Sequence, residues 1–142
     1  IKANLPNFLR FGLYPQVFNS IGDDKIEELA EISSNYLYKD LFQFEQIKKP
    51  DLLFKLLAAI ALQTGNESSL NELAQITGTN VHTVKRYLEL LEKSFVIFRL
   101  NSFSRNLRKE LAKSQKIYFY DVGIRNAVIR NFNEMNLRTD VG

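Results

Sequence analysis

Two short amphipathic segments separated by a glycine constrain the fold of this chain more than any other sequence feature. The first begins at Ser69-Leu70-Asn71-Glu72. This S-x-x-E spacing is that of a capping box, in which both side chains accept hydrogen bonds from free backbone amides at a helix start. Apolar residues then recur at Leu70, Leu73, Ala74 and Ile76. Because glycine readily adopts a positive φ, Gly78 is predicted to end this helix.

A second helix is predicted directly after Gly78. Asn80 is a favourable N-cap residue, and apolar residues recur at helical spacing at Val81, Val84, Leu88 and Leu91. The opposite face carries His82, Thr83, Lys85, Arg86 and Glu89. A helix with one apolar stripe and an outward face of hydrogen-bond donors suits the major groove of DNA. The candidate DNA-binding residues of this helix are Asn80, His82, Thr83, Lys85 and Arg86.

Two runs rich in β-branched and aromatic residues, 95–100 and 116–120, follow and predict strands. The segment between them, residues 101–115, is too long for a tight turn and has a net charge of +3. Its basic residues are further candidate DNA contacts: Arg105, Arg108, Lys109 and Lys113. The order helix, helix, basic wing is typical of a winged helix-turn-helix. We expect a mainly α fold with a small antiparallel β wing.

The whole chain is predicted to have three parts: a helical lid or linker over residues 1–49, the winged helix over 50–120, and the start of a further domain over 121–142. In the first part a long helix begins near Asp23, with an inward stripe at Ile26, Leu29, Ala30, Ser33, Leu37 and Leu41. In the second part Pro50 opens a helix to about Thr64, and residues 65–68 form a connecting loop. In the third part Asp121 caps a helix whose inward residues are Ile124, Ala127 and Val128.

Composition and charge exclude several classes of protein. The net charge of +3 and the pI of about 9.1 are compatible with nucleic-acid binding but do not require it. The absence of cysteine excludes disulfide scaffolds and thiolate metal sites, and His82, the single histidine, is expected to be an exposed or capping residue rather than a metal ligand. No signal peptide is recognisable, and the most apolar run, residues 52–62, is too short to span a bilayer. We therefore expect a cytoplasmic chain without a membrane partner.

Five motifs occur in order along the chain, at residues 12–17, 36–40, 83–92, 104–108 and 116–126. In this combination the chain resembles a family of prokaryotic AAA-type ATP-binding proteins, the archaeal-ATPase-like group. In that family a P-loop ATPase core precedes a helical lid, a winged helix and a C-terminal domain similar to restriction endonucleases. The resemblance covers essentially the whole chain and implies that it is an internal segment of such a protein.

The resemblance implies ATP and Mg²⁺ as cofactors of the longer protein, but no cofactor for this segment. The chain contains no G-x-x-x-x-G-K-[ST] phosphate loop, and Asp121 alone is not a nuclease site. We therefore expect no catalytic residues and no enzymatic activity in the segment. The implied partners are the ATPase core and the C-terminal domain of the same polypeptide, and an oligomer would form through the ATPase core.

The resemblance to the AAA-type family also implies that Gly12 and Pro15 are candidate nucleotide-binding residues. Related ATPases place a Gly-x-Pro-like turn of the lid against the adenine. Here the spacing is Gly-x-x-Pro, which a plain helix-connecting turn explains as well.

Two functional hypotheses remain from the sequence. In the first, the winged helix binds duplex DNA weakly and without sequence preference, and couples it to an ATPase. In the second, the winged helix is a protein–protein docking module that holds another domain or subunit against the ATPase. The basic wing suits the first hypothesis, but it also suits contact with a neighbouring domain.

Overall fold

The computed structural model describes residues 4–22, 24–35, 47, 49–101 and 114–140. The chain divides into two compact units, one formed by residues 1–47 and 121–142 and the other by residues 48–120. The first unit contains helices α1 (Leu5–Phe11), α2 (Pro15–Asn19), α3 (Asp24–Ser34) and α7 (Val122–Val128), with a short 3₁₀ helix at Met135–Leu137. The second contains α4 (Pro50–Leu62), β1 (Glu67–Ser68), α5 (Leu70–Thr77), α6 (Val81–Lys93), β2 (Ile97–Asn101) and β3 (Gln115–Phe119).

The second unit is a winged helix-turn-helix. Its strands form an antiparallel sheet in the order β1-β3-β2, and α5 and α6 pack against each other between β1 and β2 in the sequence. In the β2–β3 pair Ile97 lies opposite Phe119 and Asn101 opposite Gln115. The predicted mainly helical fold with a small antiparallel wing is confirmed, with both wing strands within two residues of their predicted bounds.

Strand β1 corrects the sequence prediction that residues 65–68 form only a loop. Glu67 pairs with Lys116 and Ser68 with Gln115. A strand of two residues has no hydrophobic periodicity of its own, so its presence depends on the edge that β3 offers. The buried Ser68 hydroxyl donates to Oε1 of Gln63 at 2.7 Å, which satisfies this polar group at the edge.

The structure contains the Ser69 half of the predicted capping box and the predicted cap at Asn80. Ser69 Oγ accepts from the Glu72 amide at 3.1 Å, and Asn80 Oδ1 accepts from the Thr83 amide at 2.8 Å. Gly78 has a φ of +69° in the left-handed region and ends α5. The Glu72 carboxylate, predicted to accept from a backbone amide at the start of the helix, accepts instead from Gln63 Nε2 at 3.3 Å, a partner that the S-x-x-E spacing does not reveal.

The core of the winged helix is formed by α4, α5, α6 and the inner face of the sheet. On α6 the predicted inward residues Val84, Leu88 and Leu91 are buried, together with Tyr87 and Leu90. Two predictions were wrong: Ile76 is 51% exposed and Val81 is 37% exposed. The last buried residue of α5 is Thr77 rather than Ile76. Its hydroxyl can be buried because it donates to the Leu73 carbonyl at 2.6 Å. Val81 is the first residue of its helix and has no preceding turn to cover it.

In the first unit, α7 packs against α1 and α3. Leu29 and Ser33 of α3 are buried as predicted, and Ile26 is half-buried. Ala30 is exposed, because it lies beside the stripe that faces α7. The other two predicted residues, Leu37 and Leu41, lie outside the described residues. On α7 Ile124 is buried, whereas Ala127 and Val128 are only half-buried. The sequence division placed residues 1–49 and 121–142 in separate parts, and the structure groups these regions in one unit.

We expect replacement of Leu88 by Ala to lower the free energy of unfolding of the winged helix by about 2–5 kcal/mol, because it leaves a cavity at a fully buried position. The matched control is Ile76→Ala, an apolar truncation at an exposed position, which should change stability by less than about 0.5 kcal/mol. Urea unfolding followed by far-UV circular dichroism measures both. Equal effects of the two substitutions would contradict the assigned orientation of these helices.

Candidate nucleic-acid interface

The outward face of α6 carries the polar residues that the sequence predicted for it. His82, Lys85 and Arg86 are exposed, whereas Thr83 is half-buried. Asn80 is exposed, but its side-chain carbonyl oxygen is engaged by the Thr83 amide, so its role in the structure is to begin the helix. The structure therefore places three predicted side chains on one exposed surface within the first turns of α6.

Two acidic side chains further along α6 have cationic neighbours. Glu89 lies 4.0 Å from Lys85 in an i,i+4 pair, with both side chains about half exposed. Exposed pairs of this kind contribute only about 0.3–0.5 kcal/mol. Glu92 forms an ion pair with Arg99 of β2, in which Arg99 is mostly buried. Each of the two carboxylates in the C-terminal half of α6 therefore has a cationic neighbour.

Charge is distributed unevenly between the two units. Residues 48–120 contain 12 Lys and Arg against 6 Asp and Glu, a net charge of +6. The remaining residues contain 7 Lys and Arg against 10 Asp and Glu, a net charge of −3. The chain's modest net charge of +3 thus conceals a strongly basic winged helix. The predicted wing contacts Arg105, Arg108, Lys109 and Lys113 contribute to this charge but lie outside the described residues.

The structure gives Gly12 and Pro15 a packing role. Gly12 has a φ of +72°, and a Cβ at this position would overlap the Asp121 carboxylate. That carboxylate accepts from the Leu13 amide at 2.8 Å and from the Ile124 amide at 3.0 Å, so it joins the Gly12 turn to the start of α7. Pro15 is the first residue of α2, a favourable position because its missing N–H needs no partner there. The nucleotide contact stays a prediction.

A buried polar cluster near α7 was not predicted. Asn126 is fully buried and donates to the carbonyl oxygens of Leu9 at 3.0 Å and Arg10 at 2.9 Å, which satisfies the end of α1. Its Oδ1 accepts from Arg138 Nη2 at 3.0 Å and from Arg125 Nη1 at 3.1 Å. The only sequence signal for this cluster was that Arg125 and Asn126 belong to the motif at residues 116–126.

Asp140 completes this cluster. It accepts from Arg138 Nε at 2.8 Å and Nη2 at 2.7 Å, and it forms an ion pair with Arg125. The hydrogen bonds from Arg138, together with the hydrogen bond and charge of Arg125, hold the pKa of Asp140 well below its usual 3.8, although partial burial acts in the opposite direction. The carboxylate therefore compensates two guanidinium groups whose side chains are more than nine-tenths buried.

The described residues contain neither a metal-binding group of side chains nor a membrane-spanning helix. No group of three or more His, Asp or Glu side chains there is arranged to hold a metal ion, and His82 stands exposed on α6. Among the helices that the structure describes, none combines the length and the apolar character needed to cross a membrane.

Comparison with known proteins identifies the family. A family model described as "Domain of unknown function (DUF8612)" matches residues 2–135, so the chain belongs to this family. The chain is also similar to "Uncharacterized protein MJ1637" of Methanocaldococcus jannaschii, with 27% identity over 133 residues. That similarity covers 90% of this chain but only 27% of the relative, so the chain spans about a quarter of the relative's length. No solved structure gives a significant match.

The Asp140 cluster predicts a specific pH dependence. Because the pKa of Asp140 is lower in the folded protein than its usual 3.8, its stabilising effect is complete above about pH 5 and decreases as the pH falls toward the folded-state pKa. Asp140→Asn should therefore lower the free energy of unfolding at pH 7, and its deficit relative to the wild type should shrink below about pH 4. Chemical unfolding over this pH range measures the difference. Glu134→Gln, at an exposed carboxylate nearby, should show no such trend; an equal, pH-independent loss in both variants would contradict the role of Asp140.

Proposed function

We propose that this chain, a member of the DUF8612 family, binds duplex DNA weakly and with little sequence preference through its winged helix. The observation that supports this most directly is the exposed row His82, Lys85 and Arg86 on the second helix of the helix-turn-helix. This helix belongs to a unit with a net charge of +6. In proteins of this architecture the second helix enters the major groove with its N-terminal residues toward the bases.

The residue types favour contact with phosphates over contact with bases. Lys85 and Arg86 supply positive charge on α6, and Arg105, Arg108, Lys109 and Lys113 supply it in the wing. Contacts of this kind position a protein on DNA but carry no sequence information. Since Asn80 uses its carbonyl oxygen in the helix cap, few side chains remain for bidentate contact with a base. An affinity in the range typical of non-specific binding, on the order of 10⁻⁴–10⁻⁶ M at physiological salt, is expected.

Within a longer polypeptide, this unit would give an ATPase its contact with DNA. The sequence motifs that resemble prokaryotic AAA-type proteins support this role, with ATP and Mg²⁺ bound by a core outside the segment. A cytoplasmic location accords with it. Two of the five motifs, at residues 36–40 and 104–108, lie outside the described residues, and the motifs at 12–17 and 116–126 are joined through Asp121.

A docking function is the second candidate, and exposed apolar side chains favour it. Leu62 at the end of α4 is 68% exposed and Ile76 on α5 is 51% exposed. Side chains of this size on the helical surface suit contact with another protein domain. Docking through them would depend little on salt, whereas phosphate contact depends on it steeply.

The double substitution Lys85→Ala with Arg86→Ala should weaken duplex binding on every sequence alike. Each lost phosphate contact should reduce the slope of log K against log salt by about 1, and the same holds for substitutions at Arg105, Arg108 and Lys109. Fluorescence anisotropy of a labelled duplex over a series of salt concentrations measures the slope. Glu89→Gln should bind slightly more tightly, because it removes a repulsive charge and releases Lys85 from its pair.

The matched control is Lys55→Ala, which removes an exposed lysine from α4 of the same unit. It should leave both the affinity and the salt slope close to those of the wild type, since it changes the unit's charge without touching α6. Equal losses in the control and the double variant, or no duplex binding by the wild type at low salt, would favour the docking function.

We expect the 142-residue chain to hydrolyse neither ATP nor DNA. For ATP the reason is the lack of a phosphate-loop motif in the sequence; for DNA it is that Asp121 alone does not form a nuclease site. Phosphate release from ATP and cleavage of a supercoiled plasmid with Mg²⁺ are the two measurements. Activity that co-elutes with the protein and survives comparison with a mock purification would contradict this expectation.

A further inference from the structure

Among the residues that the structure describes, four aromatic side chains on the outer face of the wing sheet form a series of ring contacts. Phe98 lies opposite Tyr118 in the β2–β3 register, and their rings stack with centroids 5.4 Å apart. Tyr120 lies 5.2 Å from Phe98, and Phe95 lies 5.9 Å from Tyr120. We call the surface formed by Phe95, Phe98, Tyr118 and Tyr120 the aromatic face.

The aromatic face is not part of the core of the winged helix. Alternate side chains of a strand point to opposite sides of the sheet, and the alternating residues Ile97, Ile117 and Phe119 are the buried ones. Phe98 and Tyr118 are half-buried against each other, whereas Phe95 is 70% exposed and Tyr120 is 57% exposed. Two large rings are thus presented to solvent at one edge of this surface.

Phe95 occupies a backbone position that favours glycine. Its φ is +53°, and its amide donates to the Glu92 carbonyl at 3.0 Å where the chain leaves α6. At such a helix end a residue with a side chain is strained, and glycine or asparagine is usual. Neither the backbone nor the core accounts for a phenylalanine here. Backbone strain of this kind is often retained because the side chain serves a function.

The net charge of the unit favours a polyanion as the ligand of the aromatic face. Lys116 is exposed on β3 next to the stacked Phe98–Tyr118 pair, and it lies opposite Leu100 on one neighbouring strand and Glu67 on the other. The unit as a whole carries a net charge of +6. Exposed aromatic rings within a basic surface are the arrangement by which proteins stack unpaired bases while cations follow the phosphates.

We propose that the aromatic face binds single-stranded DNA by stacking unpaired bases on Phe95 and Tyr120, with Lys116 close to the backbone phosphates. This surface uses side chains other than those of α6. It therefore goes beyond the proposed duplex binding and does not depend on it. Because every base has a ring face, such binding has little sequence preference.

The test uses two variants of Phe95 that leave the same backbone strain in place. Phe95→Tyr keeps a ring, and Phe95→Leu keeps an apolar side chain without one. With a labelled oligothymidylate of roughly ten nucleotides, Phe95→Tyr should bind as the wild type does. Phe95→Leu should bind about 5- to 150-fold more weakly, the range expected for one lost base–aromatic stack. Equal affinity of the Leu and Tyr variants would overturn the proposal, because an apolar contact would then suffice.

A third variant separates binding from folding. Phe95→Gly removes the ring and also the strain at a positive φ, so its thermal unfolding midpoint should be unchanged or higher while its affinity for the oligothymidylate falls. The matched control is Phe18→Ala, which removes a 54% exposed phenylalanine from α2 of the other unit and should leave binding unchanged. Wild-type affinity in Phe95→Gly, or an equal loss in Phe18→Ala, would overturn the proposal.

The form of DNA distinguishes this proposal from duplex binding. The chain contains six tyrosines and no tryptophan, so its ultraviolet emission comes from tyrosine, and stacking of a base on Tyr118 or Tyr120 should quench the part of that emission that these two residues contribute. The double variant at Lys85 and Arg86 should lose duplex affinity but retain the quenching by the oligothymidylate. Phe95→Leu should retain duplex affinity but show weaker quenching by the oligothymidylate. Absence of quenching by the oligothymidylate in the wild type would refute the aromatic face as a binding site, whatever the duplex measurements give.

Discussion

The burial of one apolar stripe of α6 determines the orientation of everything else in the winged helix. Val84, Leu88 and Leu91 are almost completely removed from solvent, and burial of a side chain of this size contributes about 1.5–3 kcal/mol. The exposed pair of Lys85 and Glu89 contributes about 0.3–0.5 kcal/mol. The core therefore fixes the rotation of the helix about its axis, and the charged face follows. This is why the outward direction of Lys85 and Arg86 is a consequence of packing rather than of their own interactions.

The features that the sequence predicted correctly are those whose physics is local. The caps at Ser69 and Asn80 involve residues three positions apart, and Gly78 ends α5 through its own φ. The stripe of α6 repeats within one helix. In each case the partners lie within one or two turns, so the pattern in the printed sequence contains the whole interaction.

The features that the sequence did not predict depend on partners far along the chain. Strand β1 needs the edge of β3, about fifty residues later. The role of Gly12 requires Asp121, and the amide of Leu13 is 108 positions away from that carboxylate. The prediction for Ile76 is an exception, because its error has a local cause: the Thr77 hydroxyl donates to the Leu73 carbonyl one turn earlier, which lets a polar residue occupy the buried side. No sequence pattern distinguishes the aromatic face, because strand propensity alone explains each of its residues.

The two proposed surfaces of the winged helix share one electrostatic term but differ in the chemistry that selects a ligand. The net charge of +6 attracts any polyanion, since each neutralised phosphate releases counterions regardless of strandedness. The α6 surface offers a ligand only hydrogen-bond donors and positive charge. A duplex can satisfy both while its bases remain stacked. On the aromatic face the added term is ring stacking, which a base can make only when it has left its own stack. A junction between duplex and single strand that spans both surfaces would be held more tightly than either form alone, because the second contact becomes intramolecular once the first is made.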